Sequence, residues 1–201
     1  MSEPLLIVVA APSGGGKSTV LARVFAEVPR LLFSISHSTR APRKGEQNGR
    51  EYFFVTQDEF KAMAARDAFL EWAEVHGNLY GTSRTEIERA RSMGHDLVLD
   101  IDVQGAEQVL RSHPSALTVF LKPPSIEVLK ARLRGRGTDS AQALAVRIAN
   151  AEREVARCSE FRYVVVNDEL GDTVRQVREI IEAERASSVK GQTPGSAILR
   201  D

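Results

Sequence analysis

The chain has 201 residues, 42% of them hydrophobic, and its 27 basic and 27 acidic residues cancel to a net charge of zero. That length suits one domain with room for an insertion, and the apolar share can fill a sizeable core. With a pI near 6.9, charge balance excludes a general basic surface for nucleic acid or anionic membrane, though not a local cationic cleft. The lone cysteine, Cys158, excludes an internal disulfide and suits a reducing compartment. It is read as a small apolar residue on a helix face.

The first predicted element is a buried strand at Leu5–Ala11. No basic stretch precedes this apolar run, and it is too short for a signal peptide or a membrane span. A cytoplasmic location without membrane contact is expected. The strand runs into Ala11-Pro12-Ser13-Gly14-Gly15-Gly16-Lys17-Ser18-Thr19, followed by a predicted helix over Ser18–Glu27. Strand, glycine turn, Lys-Ser and helix in this order form the P-loop pattern for nucleotide phosphates. Glycines let backbone N–H groups turn toward anionic oxygens, and the helix N-terminus adds partial positive charge. Lys17 would reach the β- and γ-phosphates, and the Ser18 hydroxyl would ligate Mg²⁺. The usual first glycine is replaced by Ala11, which tolerates a positive φ less well.

Residues 36 to 94 read as a small, mostly antiparallel insertion. Short strands are expected at Tyr52–Val55, Phe69–Val75 and Leu79–Thr82, with turns at Gly45, Gly49 and Gly77. Arg40 and Arg43 lie in a Pro/Gly-bounded basic loop. They could grip a phosphate by paired hydrogen bonds, or simply face solvent. His37 receives no role. Glu71 and Glu74 fall on opposite faces of their strand, so one of them can face a pocket. A carboxylate there could accept the adjacent N1–H and N2–H₂ donors of guanine, whereas adenine offers no such pair. An ordinary surface position for Glu71 fits the pattern as well. Trp72 is read as core.

Further strands are predicted at Asp96–Ile101, Leu117–Leu121 and Tyr163–Val166, and helices at Val103–Arg111, Ile126–Arg134, Ala141–Arg157 and Asp172–Arg185. Short apolar strands alternating with helices predict an α/β fold with a parallel sheet. Asp100 and Asp102 close one strand at its carboxyl end, where such sheets bind ligands. One of them can organise Mg²⁺ through water, and Asp102 can equally cap the next helix. Arg132, Arg134, Arg136 and Arg147 crowd one segment. They could stabilise a transferring phosphoryl group, or form a solvated basic surface paired with Asp139, Glu152 and Glu154. Arg132 and Arg136 would share a helical face if that helix continued so far. Residues 187–201 are read as a flexible tail.

Taken together, these motifs resemble the guanylate kinases. The resemblance runs from about Leu5 to about Arg185. It rests on the P-loop at 11–19, Ser-Thr-Arg-Ala-Pro-Arg at 38–43, Gly-Glu-Gln-Asn-Gly-Arg-Glu-Tyr-Phe-Phe-Val at 45–55, Phe-Leu-Glu-Trp-Ala at 69–73, Gly-Asn-Leu-Tyr-Gly-Thr at 77–82, Leu-Asp-Ile-Asp-Val-Gln-Gly at 99–105, Arg-Gly-Arg-Gly-Thr at 134–138 and Val-Asn-Asp at 166–168. It implies a three-layer P-loop fold with a mixed α/β GMP-binding insertion and a helical lid. The core would be 1–35 and 95–186, with the lid at about 125–155 and the GMP subdomain at 36–94. The implied reaction is reversible, Mg²⁺-dependent transfer of the ATP γ-phosphate to GMP or dGMP, in purine nucleotide metabolism and GMP recycling.

By the same resemblance, Ser36, Arg40, Arg43, Tyr52 and Tyr80 would surround the GMP phosphate. Glu71, Thr82, Asp100 and Asp102 would read or position guanine. Thr82 stands where the family more often has Ser, and it keeps the hydroxyl. Ala11, Pro12, Ser13, Gly14, Gly15, Gly16, Lys17, Ser18 and Thr19 would hold ATP, with Mg²⁺ on Ser18 and, through water, Asp100. Arg132, Arg136 and Arg147 would belong to the lid, and Asn167 and Asp168 would lie beside the adenine. Lys17, Arg43, Arg136 and Arg147 are the expected catalytic residues. The expected partners are small molecules, with no nucleic acid; monomer and homo-oligomer both stay open. A non-catalytic binding module would typically have a damaged P-loop, and this one is intact. A P-loop kinase for another phosphorylated small molecule would have no guanine to read.

Overall fold

The computed structural model describes residues 3–75, 77–135 and 141–189. Nine strands and seven α-helices occur among them. Five strands form one parallel sheet in the order β2-β7-β1-β8-β9: β1 (Leu6–Ala10), β2 (Leu31–Phe33), β7 (Asp96–Asp100), β8 (Leu117–Lys122) and β9 (Tyr163–Val166). Ile7 to Ala10, Leu97 to Leu99 and Leu117 to Leu121 are each at most 2% exposed. Strands buried on both faces need continuous apolar runs, which is why these stretches of three to five residues lack polar alternation. Thr118 is the exception, and its hydroxyl accepts the Arg162 N–H at 2.9 Å. Four more strands form a second sheet in the order β4-β3-β6-β5: β3 (His37–Ser38), β4 (Phe53–Phe54), β5 (Phe69–Val75) and β6 (Asn78–Ser83). β6 runs antiparallel to β3 and β5, but β3 and β4 are parallel.

The chain divides into two compact units. One holds Val8–Pro29 and the described residues from Leu117 onward; the other holds Pro4–Ile7 and Arg30–Ala116. In the first, α1 (Lys17–Glu27) buries Val20, Leu21 and Val24 on one stripe. The long α7 (Leu170–Val189) packs against α1. Arg178 reaches Glu27, and Arg185 donates to the Pro29 carbonyl at 2.8 Å. α5 (Ile126–Arg134) and α6 (Ala141–Ala156) share their own small core of Leu129, Leu133 and Ala151, flanked by Ile126, Leu144, Ile148 and Val155.

In the second unit, α2 (Gln57–Ala65) starts at a reciprocal capping box between Thr56 and Glu59. It presents Phe60, fully buried and stacked on Phe69 at 4.4 Å. α3 (Thr85–Met93) ends at Gly94, whose φ of 63° is the left-handed cap conformation. α4 (Val103–Ser112) starts at Asp102, whose carboxylate accepts the Gly105 N–H at 2.8 Å.

Several expectations change. The second sheet is mostly antiparallel as expected, with β3 and β4 its one parallel pair, but α2, α3, β2 and β3 go beyond the elements the sequence pattern predicts. Trp72 is 43% exposed, because the strand face opposite Glu71 and Ala73 meets solvent. Cys158 lies in a short 3-10 turn, Cys158–Glu160, beyond the end of α6. α5 ends at Arg134 with Gly135 as its cap; position 136 lies outside the described residues. Among the described residues no helix is long and apolar enough to cross a membrane.

His37 packs between Phe53 and Phe69, at 4.9 and 5.7 Å between ring centroids. Its Nδ1 is buried without a hydrogen-bond partner, and burial lowers its pKa below the usual value of 6.5. The folded state therefore resists a proton that the unfolded chain accepts. Stability should be fully present above the unfolded pKa and fall as pH drops from about 6.5 toward the folded value. His37→Phe should flatten the urea-midpoint profile in that acid window; parallel profiles would assign the slope to other groups.

Candidate active site

In the first unit the strand-to-helix turn takes its expected shape. Gly14 and Gly16 have φ of 81° and 84°, and the Gly15 N–H donates to the Pro12 carbonyl at 2.8 Å. A Cβ on Gly15 would lie 2.8 Å from that carbonyl oxygen, so a side chain there would break the turn. Ala11 is buried and is not among the residues of positive φ, which explains why alanine serves at the usual glycine position. Lys17 is half-buried at the first turn of α1, and Ser18 and Thr19 are exposed beside it.

Three contacts secure this turn from distant sequence. Asn167, 6% exposed at the end of β9, donates from Nδ2 to the Gly15 carbonyl at 2.6 Å. Arg147 on α6 donates to the Ser13 hydroxyl at 3.1 Å, and Glu154, two turns further along the same face, accepts the Ser13 N–H at 3.1 Å. Arg132 donates to the Asn167 carbonyl at 3.2 Å. Lys130 pairs with Glu152 at 2.7 Å. Asp168 is exposed next to Asn167. Arg136 lies outside the described residues, as does Asp139. The tail at 187–201 does so from 190 on; its first residues, through 189, belong to α7.

The second unit gathers the remaining candidates. Thr82 is fully buried, and its hydroxyl lies 3.1 Å from the Ser36 hydroxyl. Its N–H donates to Glu71 Oε1 at 3.0 Å. Glu71 is 7% exposed, whereas Glu74 faces solvent, so the strand alternation resolves in favour of Glu71 as the inward acid. Arg40 is held in a two-point fork by Glu46, NH1 to Oε2 at 3.0 Å and NH2 to Oε1 at 2.9 Å. Glu46 also accepts the Arg43 N–H at 2.6 Å. The Arg40 guanidinium stands 5.4 Å from the Tyr52 ring centroid, and Tyr52 meets Tyr80 edge-on at 5.9 Å.

Charge follows this geometry. Hydrogen bonds from the Arg40 side chain and the Arg43 backbone hold Glu46 below its usual carboxylate value. The Glu46 partner raises the pKa of Arg40. Burial first, then Tyr80 and Asp100 nearby, pushes the Tyr52 hydroxyl up, so it stays a neutral donor. Asp100 closes β7, half-buried, and Arg43 is exposed on its loop. Sequence reasoning gives no role to Glu46 or to Gln108, whose side chain bonds the Trp72 backbone, and reads Glu154 only as a partner of the basic segment, not of Ser13. An acid six residues after Arg40 in one loop was the only local hint of the first. The other two act across large sequence separations.

A P-loop unit and a buried-carboxylate unit with a basic loop agree with what comparison finds. The guanylate kinase family model matches residues 3–184.

The chain belongs to the guanylate kinase family.

A curated guanylate kinase of Dechloromonas aromatica is 50% identical over 182 residues, covering 90% of each chain. One from Salmonella typhimurium is 47% identical over 201 residues, covering 99% of this chain and 97% of the relative. The crystal structure of guanylate kinase from Anaplasma phagocytophilum has a TM-score of 0.69 at 31% identity, over 92% of this chain and 87% of that one. The family is an enzyme family of ATP:GMP phosphotransferases.

Glu46→Ala should release Arg40 from its fork. Charge-assisted hydrogen bonds are worth about 1.5–3 kcal/mol, so KM for the acceptor nucleotide should rise about tenfold. KM for ATP should stay within about twofold, since Glu46 touches only its own loop. Steady-state kinetics with each substrate varied would check this; equal losses for both would show general damage.

Proposed function

We propose that the protein transfers the ATP γ-phosphoryl group reversibly to GMP and dGMP, with Mg²⁺ on the nucleotide, as a cytoplasmic step of purine nucleotide recycling. The observation that carries the guanine assignment is Glu71, buried at 7% exposure with one oxygen on the Thr82 N–H. A buried carboxylate needs donors, and an ionised one offers about four lone-pair sites. Guanine supplies N1–H and N2–H₂ side by side.

In this reading Ser36, Arg40, Arg43, Tyr52 and Tyr80 hold the GMP phosphate, and Glu71 and Thr82 read the base. Asp100 and Asp102 position it, although Asp102 already caps α4 with one oxygen. Residues 11–19 hold the ATP phosphates, with Lys17 as the mobile charge. Arg132, Arg136 and Arg147 act from the lid at about 125–155, and Asn167 and Asp168 border the adenine. The stretch 36–94 acts as the acceptor subdomain. Ser18 and, through water, Asp100 would hold Mg²⁺; both offer the hard oxygen donors this ion prefers. Bound there, the ion would offset phosphate charge.

The nucleophile is an oxygen of the GMP phosphate. With a second pKa near ~6, that group is largely dianionic at neutral pH, so no general base is required. The work left to the side chains is positioning and charge neutralisation. Arg43 and Arg147 supply guanidiniums, which spread charge over phosphate oxygens better than an ammonium does. Excluding water protects the phosphoryl group from hydrolysis.

A panel of GMP, dGMP, AMP, CMP and UMP with Mg-ATP, read by a coupled ADP assay, tests the whole reading. Turnover should be confined to GMP and dGMP, because sites built on such donors reject analogues lacking them by about 10⁴–10⁵-fold. Rapid AMP or UMP turnover would overturn the guanine assignment. Lys17→Ala should lose most turnover while remaining folded by circular dichroism, and a near-normal kcat would remove Lys17 from the transfer step. Glu71→Gln should depress kcat/KM for GMP with KM for ATP little changed, since one acceptor becomes a donor facing donors.

A further inference from the structure

β5 is an edge strand: β6 lies on one side of it, and the other side carries no strand among the described residues. An edge strand leaves backbone groups unpaired. At Trp72 they are paired by a side chain. Gln108 on α4 donates from Nε2 to the Trp72 carbonyl at 3.0 Å, and its Oε1 accepts the Trp72 N–H at 3.1 Å. The amide supplies one donor and one acceptor to one residue, as a neighbouring strand would.

Glu71 is the adjacent residue, and its position needs this support. The β5–β6 register shifts between Phe69 and Glu71, so Glu71 follows a break in the ladder. The Trp72 side chain is 43% exposed and meets Phe60 edge-on at 6.1 Å. One turn before Gln108, on the same face of α4, lies Gly105. A Cβ placed there would lie 3.0 Å from Glu71 Oε2. The helix therefore meets β5 at two neighbouring points: bare backbone against the Glu71 carboxylate, and the Gln108 amide against the Trp72 peptide groups. The same helix begins at Asp102.

We propose that Gln108 is a positioning residue for base recognition, fixing the Glu71 carboxylate at the end of a two-point amide clamp on β5. The inference rests on the reading that Glu71 meets guanine. Apolar packing alone would set the distance between α4 and β5. Paired hydrogen bonds also set the position of β5 along its own axis, which decides where Glu71 Oε1 and Oε2 stand.

The test uses Gln108→Met, similar in length but unable to pair with Trp72, alone and combined with Glu71→Gln. GMP and inosine monophosphate, which lacks the 2-amino group, are compared as acceptors. Two neutral hydrogen bonds at about 1 kcal/mol each predict a rise in KM for GMP of about thirtyfold at most. KM for ATP should stay within about twofold, and the preference for GMP over inosine monophosphate should narrow. In the Glu71→Gln background, Gln108→Met should add less than about twofold, because both changes act through one carboxylate. Gln108→Glu keeps the acceptor for the Trp72 N–H but sets an anionic oxygen against the Trp72 carbonyl, and it should show the same selective loss. It serves where Gln108→Met is too unstable to assay.

Unchanged GMP parameters in folded Gln108→Met would overturn the proposal. Equal losses for GMP and ATP, or a full additional loss on top of Glu71→Gln, would overturn it too, since either marks general structural damage. If Glu71→Gln alone leaves GMP kinetics intact, the base-reading role of Glu71 has failed, and the role of Gln108 falls with it for that separate reason.

Discussion

A peptide group cannot turn its N–H toward a ligand without turning a carbonyl elsewhere, and that constraint organises the P-loop unit. The glycine turn takes positive φ at Gly14 and Gly16 and leaves the Gly15 carbonyl to be satisfied from outside. Asn167, brought from the far end of the chain by β9, satisfies it. Its own N–H is taken by the Lys122 carbonyl at the end of β8, and its carbonyl by Arg132 on α5. One buried amide thus joins the loop, two strand ends and a helix. The geometry of the loop depends on residues placed more than a hundred positions away.

The second unit handles charge by a different device. Arg40 and Glu71 are already held in place. Glu46 fixes the planes of the Arg40 guanidinium and the Arg43 backbone together. Thr82 links the Ser36 hydroxyl to the Glu71 carboxylate within one buried cluster. Ordering such side chains on binding would cost conformational entropy, about 0.5–1.5 kcal/mol for each rotamer-rich group. Fixing them in advance keeps that cost out of the binding step.

Much of this was legible in the sequence where local pattern and structure coincide. The apolar runs of β1, β7, β8 and β9 and the helices α1, α4, α5 and α6 follow from periodicity and caps. α2 and α3 escaped because each buries so little: Phe60 alone in α2, and Glu86 with Ala90 in α3. Their signals were chemical, the Thr56–Glu59 capping box and the terminal Gly94. β2 and β3 are three and two residues long and gain their extended form from neighbours, β7 and β6. At the site, single residues in ordered motifs were visible, but their holders were not. Gln108 to Trp72 and Asn167 to Gly15 are pairs created by the fold, and neither residue advertises its partner.

The division of the chain also sets an order of events during synthesis. Apart from Pro4–Ile7, the unit of Arg30–Ala116 is one uninterrupted stretch. Its second sheet, β3 to β6, can be completed as soon as that stretch has left the ribosome. The P-loop unit cannot. Gly15 is made 152 residues before Asn167, and α1 well before the α7 residues that pack on it. The turn therefore takes its held geometry only once β9 and α7 have been made, so its shape is a late product of folding.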